Sequence, residues 1–202
     1  MTIEKIEDLI VPHKIIGLDS DWESEIEPIL KTYADYLGEE MCEGTSADRI
    51  KNCEQTLGTT LPNDLKHFYL RFGAALLTEG LFNVEEFQYV TANWGQSFLD
   101  NYNKEEQIVL SKLIVFGDYL GNGNVWCFHK DTKEIFYYKH DSTPNINQMF
   151  VTFYEYLQSL LIFTQGEIGQ DIENFDKEVE KLVIDLIGKD RLKVWQYFCG
   201  WD

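Results

Sequence analysis

Three observations predict an α+β fold with a mostly antiparallel sheet and an additional C-terminal helix. Helical periodicity occupies the first third of the chain. Residues 113–142 then read as three short strands joined by tight turns, and helical periodicity returns after them. Helices first, strands next and a helix last is the order of α+β rather than of alternating βαβ units. Tight turns between strands force antiparallel pairing.

Residues 1–18 read as a lead-in or an edge strand. A helix is expected within 21–42, where Trp22, Ile26, Ile29, Tyr33, Leu37 and Met41 recur at three- and four-residue steps and make one apolar stripe. Ser20 and Glu23 have capping-box spacing, and Pro28 suits a first turn, so regular helix is expected from about Pro28. A second helix is predicted over 46–57, with Ile50, Cys53 and Leu57 on one face and Gly58 ending it. A third spans 63–72 with Leu65, Phe68, Tyr69 and Phe72, stopped by Gly73. A strand is expected near 81–84, and the polar stretch 91–111 carries no clear period.

The segment LIVFGDYLGNGNVWCFHKDTKEIFYYKHDS, residues 113–142, holds the three strands. Leu113–Phe116, Val125–Phe128 and Ile135–Tyr138 are apolar, β-branched or aromatic. Asn122-Gly123 and Asp131-Thr132-Lys133 fall where turns are needed, since Asn, Asp and Gly tolerate the positive φ of hairpin turns. A helix is then expected over 147–163 with Phe150, Phe153, Leu157, Leu160 and Leu161 inward. Beyond it, Ile172, Phe175, Val179, Leu182, Val183 and Leu186 form an amphipathic stripe ended by Gly188, followed by Leu192, Val194, Trp195, Phe198 and Trp201. That tail is too apolar to sit alone in water. The chain divides into a lead-in and acidic helix (1–45), a core (46–162) and a C-terminal helical extension packed on it (163–202).

With 202 residues, 44% hydrophobic and 14% aromatic, the chain can bury a full core and is not a disordered composition. No run of 18 apolar residues occurs, and the start MTIEKIEDLIVPHK lacks the basic-then-apolar pattern of a secretory signal. Cys42, Cys53, Cys127 and Cys199 are scattered, without CxxC, and His13, His67, His129 and His140 do not fall at metal spacing with them. Reduced thiols in a cytoplasmic protein, with no metal and no cofactor, are the expectation. The net charge is −18 and unevenly spread: residues 1–60 hold 14 acids against 5 bases, residues 111–160 only 5 against 4. Such a field repels nucleic acid and anionic membranes and attracts basic proteins, although acidity alone also serves solubility.

Catalytic patterns are weak. The glycine-rich run 117–124 precedes a strand and has no Lys, so it is not a phosphate loop. Leu120 and His129 stand where a calcium loop starting at Asp118 needs oxygen ligands. It reads as a connection between strands. Cys127 and His129 alternate onto one face of a strand, the minimum for a thiol–imidazole pair, but Trp126 and Phe128 around Cys127 favour a buried structural thiol. There is no GxSxG. Glu23, Glu25 and Glu27 read as a solvated acidic face.

Three blocks in order then carry a family resemblance: IKNCEQTLGTTLP followed by NDLKHFYLRFG (50–73), the three-strand segment 113–142, and FYEYLQSL (153–160). Together they resemble the SMI1/KNR4 family, also called the SUKH superfamily. The resemblance implies a curved sheet flanked by helices and a non-enzymatic protein. In bacteria such proteins are immunity proteins that bind and neutralise toxins of polymorphic or contact-dependent secretion systems, often nucleases. In fungi they are regulatory scaffolds or adaptors. It also implies that Leu61 and Phe68 are core, Pro62 a helix start, and Gly117 and Gly123 turn formers. Asp118, Tyr119, Asn122 and Asn124 are the candidate partner-binding residues. Asp118 is alternatively a turn-stabilising acceptor of backbone N–H groups. The chain departs from the family pattern at Phe72-Gly73-Ala74, where Asn-Gly is common, and residues 91–111 look inserted.

The expected partner is therefore a protein, a basic toxin domain, with no nucleic acid and no membrane, and the chain is expected to be a monomer or weak homodimer. The main alternative is the intracellular adaptor. A long disordered extension would favour it, and no stretch of these residues has that composition. An enzyme built on Cys127 and His129 is the third reading.

Overall fold

The apolar stripe of the first helix holds at Ile26, Ile29 and Tyr33 but not at Leu37, which is 44% exposed, nor at Met41, which lies past the helix end, and the helix starts earlier than expected. In the computed structural model, which describes residues 3–94, 96–118, 121, 123–141 and 145–199, helix α1 runs Glu23–Leu37 and buries Ile26, Ile29, Leu30 and Tyr33. Pro28 lies inside it. The N–H that proline lacks would have served only the carbonyl of solvent-exposed Ser24, in the first turn, so the loss is small there. The Ser20–Glu23 box does not form: Trp22 holds the N-cap position without a side-chain cap, and Glu23 is the first helical residue. The lead-in before α1 is irregular, with one 3-10 turn, Ile6–Asp8, and further turns over 16–22.

Helix α2 (Ala47–Leu57) follows its predicted bounds, with the Ser46 hydroxyl accepting the Arg49 N–H, and buries Ile50, Cys53 and Leu57. Helix α3 (Asn63–Phe72) starts directly after Pro62 and buries Leu65, Phe68, Tyr69 and Phe72. The strand expected near 81–84 shrinks to β1 (Gly80–Leu81), and a 3-10 turn at Val84–Glu86 leads into β2 (Gln88–Tyr89). The stretch without a clear period folds as α4 (Val90–Trp94), a 3-10 turn (Gln96–Asn101) and α5 (Lys104–Leu110). The meander β3 (Leu113–Asp118), β4 (Val125–His129) and β5 (Ile135–Tyr138) follows as predicted, one or two residues longer in β3 and β4.

The helix expected over 147–163 divides. Residues Ile146–Phe150 form β6, and α6 begins at Phe153 and runs to Ile168. Thr152 breaks the run: its hydroxyl accepts the Glu155 N–H at 3.1 Å, an N-cap that a helix passing through it could not make. Phe150 and Phe153 keep helical spacing by coincidence. A second cap comes from α3, whose Asp64 carboxylate accepts the Tyr154 N–H at 2.8 Å, placing negative charge at the positive end of α6.

The six-stranded sheet has the order β1-β3-β4-β5-β6, with β2 also on β3, and every pair is antiparallel. Register shifts in β3 near Phe116 and in β6 near Met149 are bulges, which curve a sheet. Ile114, Phe116, Trp126, Phe128, Ile135 and Tyr137 face the helices. Leu113, Val115, Val125, Cys127 and Tyr138 face the opposite way, under Val90, Leu99 and Leu110 of the 90–111 segment. The fold is thus α+β with helices on one face and this short helical segment on the other.

The C-terminal stripe becomes α7 (Phe175–Ile187), which packs Phe175, Val179 and Val183 against Ile162 of α6 and Ile3 of the lead-in. Helix α8 (Lys189–Cys199) returns to the main core. Its Trp195 is fully buried against Trp126, Phe150 and Phe163. The indole donates its N–H to Glu79 at 2.9 Å, and the Tyr156 hydroxyl donates to the other carboxylate oxygen at 3.3 Å. Glu79 is 1% exposed, so these donors replace water that the carboxylate has lost. Trp195→Phe keeps a ring in the same space and deletes one donor. Urea unfolding at neutral pH is expected to show a loss of at least roughly 1–3 kcal/mol, the cost of a buried acceptor left short of a partner, with the space left by the smaller ring adding to it. An unchanged midpoint would mean that this bond does not hold α8.

Candidate functional site

The candidate site is the corner where β1 crosses the end of β3. Gly80 pairs with Asp118 and Leu81 with Gly117. Gly117 is not a turn former, as the resemblance implied, but a strand residue beside the bulge. A Cβ there would lie 2.5 Å from the Gly80 carbonyl oxygen, so only glycine lets β1 lie this close. The close approach lays the Asp118 carboxylate over Gly80. Gly123 does form a turn, with φ of +87° in the left-handed region.

Asp118 then lines a groove of about 560 Å³ with Phe82, Glu85, Glu86, Gln88, Gly121, Gly123 and Val125. Burial raises its carboxyl above the ordinary range, opposed by the Gly121 N–H that it accepts. It is therefore both a turn-stabilising acceptor and a groove wall. Glu85 and Glu86 arrive from a segment some 30 residues earlier that β1 and β2 bring alongside β3. Glu86 accepts the Asn83 N–H at 2.9 Å, closing a capping box. Glu85 pairs with Arg49, whose Nη2 is 2.7 Å from Oε2, and the guanidinium holds that carboxyl below its usual range. Among the lining residues there are three carboxylates and no Lys or Arg. The Arg49–Glu85 pair stands between this groove and a smaller cavity of about 200 Å³ lined by Cys53, Thr56 and Phe87.

Of the other candidate residues, Asn124 is 4% exposed, and its side-chain oxygen accepts the His140 N–H at 3.3 Å, tying the turn to the end of β5. Tyr119 and Asn122 lie outside the described residues. Leu61 and Phe68 are buried in the main core, and Pro62 is the N-cap residue of α3. Sequence reasoning found Asp118 and missed Glu85 and Glu86, whose only signal is the Asn83–Glu86 capping-box spacing.

Cys127 and His129 do share a face of β4, but they do not make an activated pair. Cys127 is fully buried and burial pushes its thiol well above the usual range. His129 Nδ1 accepts the N–H groups of Asp131 (3.3 Å) and Thr132 (3.2 Å), so its lone pair is spent on the β4–β5 turn. Glu23, Glu25 and Glu27 are not merely a solvated face. Glu25 accepts the N–H groups of His13 (2.7 Å) and Lys14 (2.9 Å), while Glu23 and Glu27 flank Arg71. Among the described residues no group of three His, Cys, Asp or Glu could hold a metal, and no helix is long and apolar enough to cross a membrane.

Comparison with known proteins gives one family match: the model described as SMI1 / KNR4 family (SUKH-1) matches residues 44–159, which spans α2 to α6 and includes the 90–111 segment. No curated protein matches the chain.

The thiol chemistry is checkable. Among the three cysteines whose side chains are described, native protein treated with iodoacetamide at pH 8 is expected to react first at half-buried Cys42, to leave Cys127 unmodified, and to react slowly at Cys53, whose thiol burial pushes up to about 11. Peptide mass mapping reads the order, and rapid labelling of Cys127 in folded protein would revive a catalytic thiol.

Proposed function

Since the chain belongs to the SMI1/KNR4 (SUKH-1) family, with the matched region covering more than half of it, we propose that it is an immunity-type protein that acts in the cytoplasm by binding a toxin domain and occluding it, with no chemistry of its own. The observation that carries the reading beyond the family is the groove at Asp118: three carboxylates, of which Glu85 is already paired with Arg49 at the edge, and apolar Phe82 and Val125, on a chain of net charge −18. That lining suits Lys or Arg side chains, whose apolar stems rest on the floor while their heads meet the rim. The partner proposed is accordingly a basic toxin domain, a nuclease being the basic enzyme most readily matched. Acidic–basic steering brings association to roughly 10⁸–10⁹ M⁻¹s⁻¹ at low salt, the speed needed to intercept a lethal enzyme.

Co-expression with the protein encoded by the neighbouring upstream gene tests this. The expected outcome is rescued growth and a co-purifying complex. No toxicity and no complex would sink the reading in favour of a regulatory adaptor. In the complex, association should slow steeply as salt rises. Affinity should also fall on acidification, and the fall should begin at a higher pH than for an ordinary carboxylate. The reason is that the raised Asp118 carboxyl takes up its proton early and loses the charge that attracts the cation. Asp118→Asn should remove that early part of the pH dependence, and a pH profile identical to wild type would remove Asp118 from the contact.

A further inference from the structure

The helical segment over the second face of the sheet stops short of its far strands. Val115, Val125 and Cys127 are fully covered, while Phe136 of β5 and Ile146 of β6 stay only partly buried. With Val109 of α5 these two side chains line a groove of about 250 Å³, and Glu105 and Glu106 form its rim. Ile108, next to Val109, is 59% exposed. On the same side Glu134 accepts the Gln148 side-chain N–H at 2.8 Å, adding a third carboxylate near the strip. Lys112, the next base along the chain after α5, is paired with Asp131 at 2.9 Å. The groove is smaller than the roughly 300–1,000 Å³ of a small-molecule pocket, so it suits an inserted side chain rather than a ligand.

We propose that this groove is a second docking surface for the toxin domain, taking a segment in which one apolar anchor is flanked by Lys or Arg. The anchor fills the space between Val109, Phe136 and Ile146, and the flanking cations meet Glu105 and Glu106. Charge complementarity selects this occupant. An acidic segment would meet two carboxylates, and a second copy of this chain would bring together two molecules of net charge −18. Only the identity of the partner rests on the toxin-neutralising reading; the recognition chemistry rests on the groove.

A synthetic helical peptide of leucine and lysine, with leucines at three- and four-residue steps, is the probe, and a leucine–glutamate peptide is the control. Titration into isotope-labelled full-length protein, followed by amide NMR shifts, is expected to perturb α5, β5 and β6 with the lysine peptide alone. Val109→Asp should weaken binding at least about 30-fold, as loss of a central anchor contact does. Glu105→Lys, an exposed change that leaves the fold intact, should weaken it severalfold. Shifts confined to α1 or α2, affinity unchanged in both variants, or no binding at millimolar peptide would each overturn the proposal. The two readings separate cleanly. A toxin bound equally well by Glu105→Lys and Val109→Asp would sink the groove and leave neutralisation standing. A peptide that docks here, in a protein that neutralises no toxin, would do the reverse.

Discussion

The central sheet is apolar on both sides, and most of the architecture answers that constraint. Leu113 to Phe116 are four consecutive residues with no exposure, and β4 repeats the pattern from Val125 to Phe128. A strand with one wet face alternates; these do not. Two covers are therefore required. The larger is the helical layer of α1, α2, α3 and α6, sealed by α8. The smaller is the 90–111 segment, which buries Val90, Leu99 and Leu110 and packs Phe98, Tyr102 and Val109, partly buried, against the same cluster. Where the large cover is complete the molecule has its core, and where the small one ends it has an apolar strip rimmed by acid.

Polar groups fix how the covers sit. Asp64 fastens α3 to the start of α6, Gln165 holds the lead-in through both the N–H and the carbonyl of Ile10, and Glu79 receives Trp195 and Tyr156. Each joins elements distant in sequence and is buried or partly buried, where an unmatched group is costly. Apolar contact alone would tolerate helices sliding over an aromatic floor; these directional bonds select one arrangement. The same device shapes the acid groove, since β1 reaches Asp118 only because glycine stands on both sides of the crossing.

Much of this was legible in the sequence. Helices α2 and α3 were bounded by Ser46, Pro62 and the glycines after them, and the meander was marked by turn residues at both bends. The boundary between β6 and α6 was not, because Phe150, Phe153 and Leu157 satisfy a helical period on their own and only the Thr152 cap reveals the break. Residues 91–111 hid their role because they fold as short helical pieces, each too brief to show a period. Asp118 was identifiable as the polar residue of its turn. Glu85 and Glu86 were not, since what brings them to Asp118 is pairing across the sheet. Glu79 was the least visible, for a carboxylate in a connecting segment is ordinarily exposed.

That carboxylate also imposes an order in time. Its indole partner lies 116 residues downstream. During synthesis, which runs from the N-terminus, the family-matched region can emerge and collapse while Glu79 still waits, with Trp126 and Phe150 open on the side that Trp195 will close. In that interval the aromatic surface is open and the carboxylate holds Tyr156 but not yet the indole. The extension beyond the matched region ends that interval, so its speed of docking, as much as its strength, sets how many chains reach the mature state.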